Sequence, residues 1–301
     1  MWWLISTVWA SRRMHRAFLV CLAVTIGQAH PCRAQVEELR PPTIVTAGTP
    51  ASIASVGSGR ATLYLVGPDV VKRRQVQMGQ EIKLQAGEVR SAGRYLAVVC
   101  SEACRSAEFY VVPAGVASLR VLVHPSRAPV GQADAISGVI FPFDEFHNLV
   151  LAPVTIDLGL KVSGADVMSR PVTTQHGVAW FRTSSGNRTG VAQVMASVGD
   201  VSARRVVQLV ASDPCNLRIK AQPTAKGIAV ETEPVRDCTG NPVPDGTIVT
   251  FTAAGTEGTS TVDAPIKQGV ARALMPASSS SRISVASGVV MGNEITLGSH
   301  P

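Results

Sequence analysis

Beyond residue 35 apolar and polar positions alternate in short runs, and no long apolar stripe with a 3.6-residue period occurs. Leu119-Arg-Val-Leu-Val-His124 sets Leu119, Val121 and Val123 on one face, and Thr247-Ile-Val-Thr-Phe-Thr-Ala253 turns Val249, Phe251 and Ala253 inward. Further strands are expected at Ala61–Val66, Glu81–Gln85, Gly93–Val99 and Arg105–Val112. Others are expected in the AISGVIF stretch ending at Phe141 and at Val154–Leu160, Gly177–Phe181, Gly190–Ala196 and Val201–Val210. The last are at Gly269–Met275, Arg282–Ala286 and Val289–Leu297. Val and Thr crowd these runs, and Gly and Pro punctuate them, which is the composition of many short strands separated by turns. The predicted class is all-β, with β-sandwiches in series. Pro113-Ala-Gly115 and Ser212-Asp-Pro214 read as joints, giving modules at 43–112, 116–211 and 215–298, with residues 35–42 as a flexible lead-in.

The last two-thirds of the chain repeats. Asp144-Glu-Phe-His-Asn148 precedes Val150 and Leu158, and Asp237-Cys-Thr-Gly-Asn241 precedes Val243 and Phe251, an offset of 93 residues. The Gly-Val-Ala steps at Gly177 and Gly269 follow at an offset of 92. A period of that length holds a whole small domain. Within the motif, Asp237 and Asn241 are suited to cap backbone N–H groups in a turn, with Gly240 and Gly246 supplying positive φ. Calcium between modules is the alternative, although no alternating Asp-x-Asp-x-Asp run is present.

Residues 215–298, with Asp237-CTGNPVPDGTIVTFTA and then Gln268-GVARALMPASSSSRISVASG, resemble the bacterial immunoglobulin-like domains of intimin and invasin type, the Big-1 group. In the middle module Phe146-His147 replace Thr-Gly and Leu149 replaces Pro, so its match is looser. The first module is only generically immunoglobulin-like. There Gly93-Arg-Tyr95 resembles a tyrosine corner, with Ala97 where antibody-type domains carry Cys. The resemblance implies spacer or adhesive sandwiches of exported bacterial proteins. An anchoring barrel and a terminal receptor-binding domain are not recognised, so host-cell adhesion is not implied.

Arg12, Arg13 and Arg16 precede the apolar run Ala17–Ile26, and Cys32-Arg33-Ala34 offers a cleavage site, so 1–34 is read as a signal peptide, with Met1 or Met14 as the start. The formal charge is +7, but the four arginines of 1–34 belong to that segment, and removing them from 28 basic residues leaves 24 against 21 acids. The short runs Lys72-Arg-Arg74 and Arg204-Arg205 lack aromatic platforms, so no nucleic-acid partner is expected, and no second apolar span predicts stable membrane insertion after cleavage. Four cysteines then remain for an oxidising compartment. Strand reading pairs Cys100 with Cys104 at a hairpin mouth. It pairs Cys215 with Cys238 across a hairpin turning at Thr224–Gly227, and a metal at Cys-x-x-x-Cys is the alternative to the first bridge.

No Gly-x-Ser-x-Gly, His-Glu-x-x-His, phosphate loop or dinucleotide fingerprint occurs. His124, His147, His176 and His300 fall at strand ends, turns or the tail, so no catalytic, cofactor or metal residues are assigned. Phe141, Phe143 and Phe146 exceed the inward positions of one strand. Phe143 and Phe146 are therefore candidate contact residues, for a neighbouring module, the core or an outside partner. Trp180 is expected in the core, with sugar stacking as the alternative. The expected function is non-enzymatic: an exported protein of the periplasm, cell surface or exterior, acting in envelope structure, adhesion or binding to a protein partner. A carbohydrate-binding or accessory module of a secreted enzyme system is the alternative, against which the 5% aromatic content counts.

Overall fold

The computed structural model describes residues 37–256, 258–276 and 280–298. The signal-peptide expectation for 1–34 and His300 therefore lie outside the described residues. Three β-sandwiches follow one another, each with its own hydrophobic core.

The first contains β1 (Glu38–Arg40), β2 (Ile44–Thr46), β3 (Ala51–Val56), β4 (Arg60–Val66), β5 (Val71–Gln77), β6 (Ile82–Leu84), β7 (Gly93–Cys100) and β8 (Cys104–Val112). One sheet runs β1-β3-β6 and the other β2-β8-β7-β4-β5. Residues 35–42 were expected to be a flexible lead-in. Instead, within this stretch, Glu38–Arg40 pairs antiparallel with Val56–Ala54, because Leu39 buries its side chain in the core. The Tyr95 and Phe109 rings stack at 5.3 Å in that core. The Tyr95 hydroxyl faces the Ser91 backbone without completing a hydrogen bond of ordinary geometry, and burial raises its pKa. The basic run Lys72-Arg-Arg74 lies on the edge strand β5. Its Arg73 guanidinium sits 5.9 Å from the Tyr64 ring, and Arg74 pairs with the buried Glu88 at 3.2 Å. These arginines thus have partners within the fold.

The middle sandwich contains β9 (Ser118–His124), β10 (Arg127–Pro129), β11 (Ile136–Phe143), β12 (Thr155–Val162), β13 (Ala165–Thr173), β14 (Ala179–Thr183), β15 (Gly190–Val198) and β16 (Val201–Val210). Its sheets run β14-β11-β9 and β10-β16-β15-β12-β13, the same plan as the first. Leu119 and Val121 point inward as the alternation requires. Gly138 is required here, since a Cβ would lie 2.5 Å from both the Phe181 ring and the Leu122 carbonyl.

In the third sandwich, β17 (Pro214–Cys215), β18 (Ile219–Thr224), β19 (Gly227–Thr232), β20 (Arg236–Asp237), β21 (Ile248–Gly255), β22 (Gly258–Pro265), β23 (Arg272–Met275), β24 (Ser280–Ser287) and β25 (Val290–Gly298) form sheets β18-β19-β23 and β22-β21-β24-β25 and the separate pair β17-β20. Val249, Phe251 and Ala253 are buried on the inward face of β21. Cys100 bonds to Cys104 across the β7–β8 register, and Cys215 bonds to Cys238 beside the short β17–β20 pair. Of the second pair, Cys215 lies on β17 and Cys238 in the turn just after β20, rather than at the ends of β18 and β19.

The two bridges close loops of very different length, with sequence separations of 4 and 23. On the chain-entropy model, replacing Cys215 and Cys238 together by Ser lowers the stability of the third sandwich by about 3 kcal/mol, and the same change at Cys100 and Cys104 costs less. Calorimetric unfolding of the two double variants checks the order.

Candidate functional site

The repeated Asp-x-x-x-Asn motif stands at both junctions between sandwiches. Asp144, buried just after β11, accepts hydrogen bonds at Oδ1 from the Phe146 and Asn148 amides at 2.9 and 2.8 Å. Its Oδ2 accepts from the Ala114 amide of the linker at 3.0 Å and from Asn148 Nδ2 at 2.8 Å. Asn148 reaches back to the first sandwich, donating from Nδ2 to the Arg90 carbonyl and accepting at Oδ1 from the Ala92 amide, both at 2.7 Å. The second junction repeats the device. Asp237 takes the Thr239 and Asn241 amides at 2.9 Å and the Ser212 linker amide at 3.1 Å, while Asn241 Nδ2 donates to the Asn187 carbonyl at 2.8 Å.

The side chain two positions after each Asp packs on a glycine of the preceding sandwich. A Cβ on Gly48 (φ 72°) would lie 2.2 Å from the Phe146 ring, and one on Gly131 (φ 73°) would lie 2.8 Å from Thr239 Cγ2. Phe146 also packs against the first core and lies 5.8 Å from the Arg90 guanidinium. Of the two candidate contact residues, Phe146 therefore belongs to the junction.

Burial opposes ionisation of Asp144, but bonds from the Asn148 side chain and from the Ala114, Asn148 and Phe146 amides outweigh it and hold the carboxyl below its usual range. Burial likewise opposes ionisation of Asp237, and bonds from Thr239, Asn241 and Ser212 outweigh it.

Phe143 lies elsewhere, on the outward face of the β14-β11-β9 sheet. The pleat turns Leu119, Val121, Ile136, Ile140, Ala179 and Phe181 into the core, so Arg120, Leu122, Val139, Phe141, Phe143, Trp180 and Arg182 face outward. Register places Leu122, Val139 and Trp180 in one row across three strands. Leu122 is 59% and Trp180 60% exposed. The expectation of a core Trp180 is thus corrected: Ala179 and Phe181 hold the inward positions, and a strand cannot turn their neighbour the same way. The Arg182 guanidinium lies 5.0 Å from the Trp180 ring. Arg120, Leu122, Phe141, Phe143 and His147 line a groove of about 430 Å³ beside it. The outward positions of this sheet carry Arg120, Arg182 and His124 and no acid. Leu122 is the sequence signal for this face, an apolar residue at a polar position of its own alternating run.

His124, His147 and His176 are exposed, at a strand end and in two turns with positive φ. Among the described residues no group of three or more His, Cys, Asp or Glu is placed to hold a metal ion.

No protein-family model matches the chain, and no curated protein matches it. Among solved structures it is similar to FdeC, an Escherichia coli adhesin, at 19% identity, covering 86% of this chain and 95% of that one with a TM-score of 0.59. It is also similar to invasin, a bacterial integrin-binding protein, at 9% identity and a TM-score of 0.50, covering 87% of this chain but 59% of that one. At these identities the likeness establishes the fold, that of tandem immunoglobulin-like sandwiches.

Replacing Asn148 and Asn241 by Ala removes the bonds that cross the junctions and spares the Asp-capped turns. The double variant is expected to keep its strand content by circular dichroism. It should also become several-fold more sensitive to protease at 113–117 and 211–214, because each junction loses about 1 kcal/mol for every bond between Asn and the preceding sandwich, which loosens the packing around the linker. The carboxylates add a pH dependence. Both folded-state pKa values lie below the unfolded value of about 3.9, so their stabilisation is complete above that pH and disappears as pH falls through the folded values. Linker protection should therefore be constant near neutrality and decline below about pH 4. In Asp144→Asn/Asp237→Asn this acid step should shrink.

Proposed function

We propose that this chain is a non-enzymatic, exported binding protein of the intimin/invasin-type (Big-1) kind. It presents tandem immunoglobulin-like sandwiches in the periplasm, at the cell surface or outside the cell. The observation that carries this reading is the apolar row Leu122–Val139–Trp180 on the outward face of a sheet, with Leu122 and Trp180 exposed and Val139, Phe141 and Phe143 half-buried beside them. Exposed Trp flanked by Arg is the composition of binding hot spots. With two arginines and no acid on the face, the best fit is a protein surface or envelope component with apolar side chains bordered by carboxylates.

Two disulfides and the signal-like pattern of 1–34 support export. Among the described residues no helix is long and apolar enough to cross a membrane. The likeness to FdeC and invasin supports adhesion or binding as the role. Three separate cores support the division at 43–112, 116–211 and 215–298, with β1 joining the first sandwich. The exposed Trp180 also favours a second reading, a sugar stacked on its ring.

The test compares the chain from residue 35 with its Leu122→Asp and Trp180→Ala variants in a pull-down from the native envelope. A partner held by the unsubstituted chain and weakened tenfold or more in both variants supports the reading. Retention in both variants removes this face as the site. Glycan-array binding that disappears in Trp180→Ala, without a protein partner, favours the sugar.

A further inference from the structure

The first two sandwiches close the outer edge of their last strand with a short parallel strand. β2 lies beside β8, where the Tyr110 amide donates to the Thr43 carbonyl at 3.0 Å and the Ala47 amide to the Val112 carbonyl at 2.8 Å. β10 lies beside β16, where the Gln208 amide donates to the Ser126 carbonyl and the Val130 amide to the Val210 carbonyl, both at 2.9 Å. The third sandwich has no such strand among its described residues. In the middle sandwich β10 is carried by the connection from β9 to β11. The corresponding connection, from β18 to β19, is only the turn at Ala225 and Lys226. The sheet order therefore ends at β25. Leu217 covers the start of that strand, its carbonyl accepting from the Asn293 amide at 3.0 Å, and from Glu294 to Gly298 no described strand pairs with the outer edge.

The core beneath that edge is unfinished as well. Phe109 and Val111 on β8, and Val207 and Leu209 on β16, are buried, whereas their counterparts on β25, Ile295 and Leu297, are only partly so. Ser281, opposite Leu297 on β24, is 2% exposed, and its hydroxyl has no hydrogen-bond partner.

We infer that the outer edge of β25 is a docking site for one extended segment of a partner protein, added parallel to Glu294–Gly298. An open strand edge is a template for such pairing. The chemistry of the segment is defined by the strands that fill the same place in the other sandwiches. Each buries two apolar side chains at alternate positions, Val45 and Ala47 in one and Ala128 and Val130 in the other. The expected occupant is thus a short strand with small or β-branched apolar residues at every second position. A second copy of this chain is a poorer donor, because its own covering strands are already engaged. The inference does not depend on the Leu122–Trp180 face.

The test uses the chain from residue 35 and two synthetic probes, peptides with the sequences of residues 41–49 and 124–132, read by hydrogen exchange at β25. Two variants complete it. One replaces Ala225 and Lys226 by residues 125–135, which supplies the strand in cis. The other is Thr296→Pro. Thr296 holds a solvent-facing position like that of Tyr110, whose amide serves the covering strand, so proline there blocks docking without touching the β24 register. Either peptide at millimolar concentration should slow exchange in 294–298 by about tenfold, and the graft should do so without peptide. Thr296→Pro should abolish the peptide effect. Trp180→Ala should leave it intact, which separates this site from the face proposed above. Edge amides already as protected as those of β8 and β16 would overturn the inference, as would no slowing with either peptide or graft. Protection that rises with protein concentration alone, together with a doubled mass, would overturn the assignment to a partner in favour of a second copy.

Discussion

Everything between sandwiches hangs on one buried carboxylate per junction. A linker that leaves one β-sandwich and enters the next must satisfy the amides that it partly shields from water, and an unpaired N–H there is costly. Asp144 solves this by binding its own turn through one oxygen and the linker amide of Ala114 through the other. Asp237 does the same with Ser212. Because the turn is then fixed, Asn148 and Asn241 are held where they can reach the loops before β7 and β15. The glycines at 48 and 131 admit the neighbouring Phe146 and Thr239. The repeat in the sequence is thus a repeat of a joint as much as of a fold.

With the junctions occupied in this way, the surfaces left for binding are set by pleat and by edge. On the β14-β11-β9 sheet, strict alternation sends Leu122, Val139, Phe141, Phe143 and Trp180 outward, because the core takes every other residue. In the third sandwich no described strand covers the outer flank of β25 from Glu294 to Gly298. The first surface offers side chains over a sheet, and the second offers backbone along one. They differ in what they select, by shape and charge in one case and by strand pairing in the other.

Much of this is legible in the sequence alone. Alternation at Leu119–Val123 and Val249–Ala253, turn residues at short intervals and the 93-residue offset fixed the strand class and the sandwich architecture. The pairing of Cys215 with Cys238 followed from reading a hairpin between them, and the capping role of Asp237 followed from its turn chemistry. Less was legible at the edges. Glu38–Arg40 looked like a tail because its single buried residue, Leu39, is too little pattern to read. Trp180 looked like core because the run Val178–Phe181 is apolar at every position, so composition gives no phase for the pleat.

The sequence by itself determined which segments form strands, since that depends on the local period of apolar side chains and the local demands of turns. It also determined the turn that each Asp-x-x-x-Asn motif builds, whose bonds span only a few residues. Only the tertiary structure decided that Asn148 and Asn241 cross to the preceding sandwich, that Phe146 joins a junction while Phe143 faces a groove, and that no described strand covers the outer edge of β25 beyond Asn293. Those outcomes depend on contacts between residues such as Asn148 and Arg90, 58 positions apart, and on which of two faces of a strand the rest of the sheet leaves uncovered. No local period encodes either.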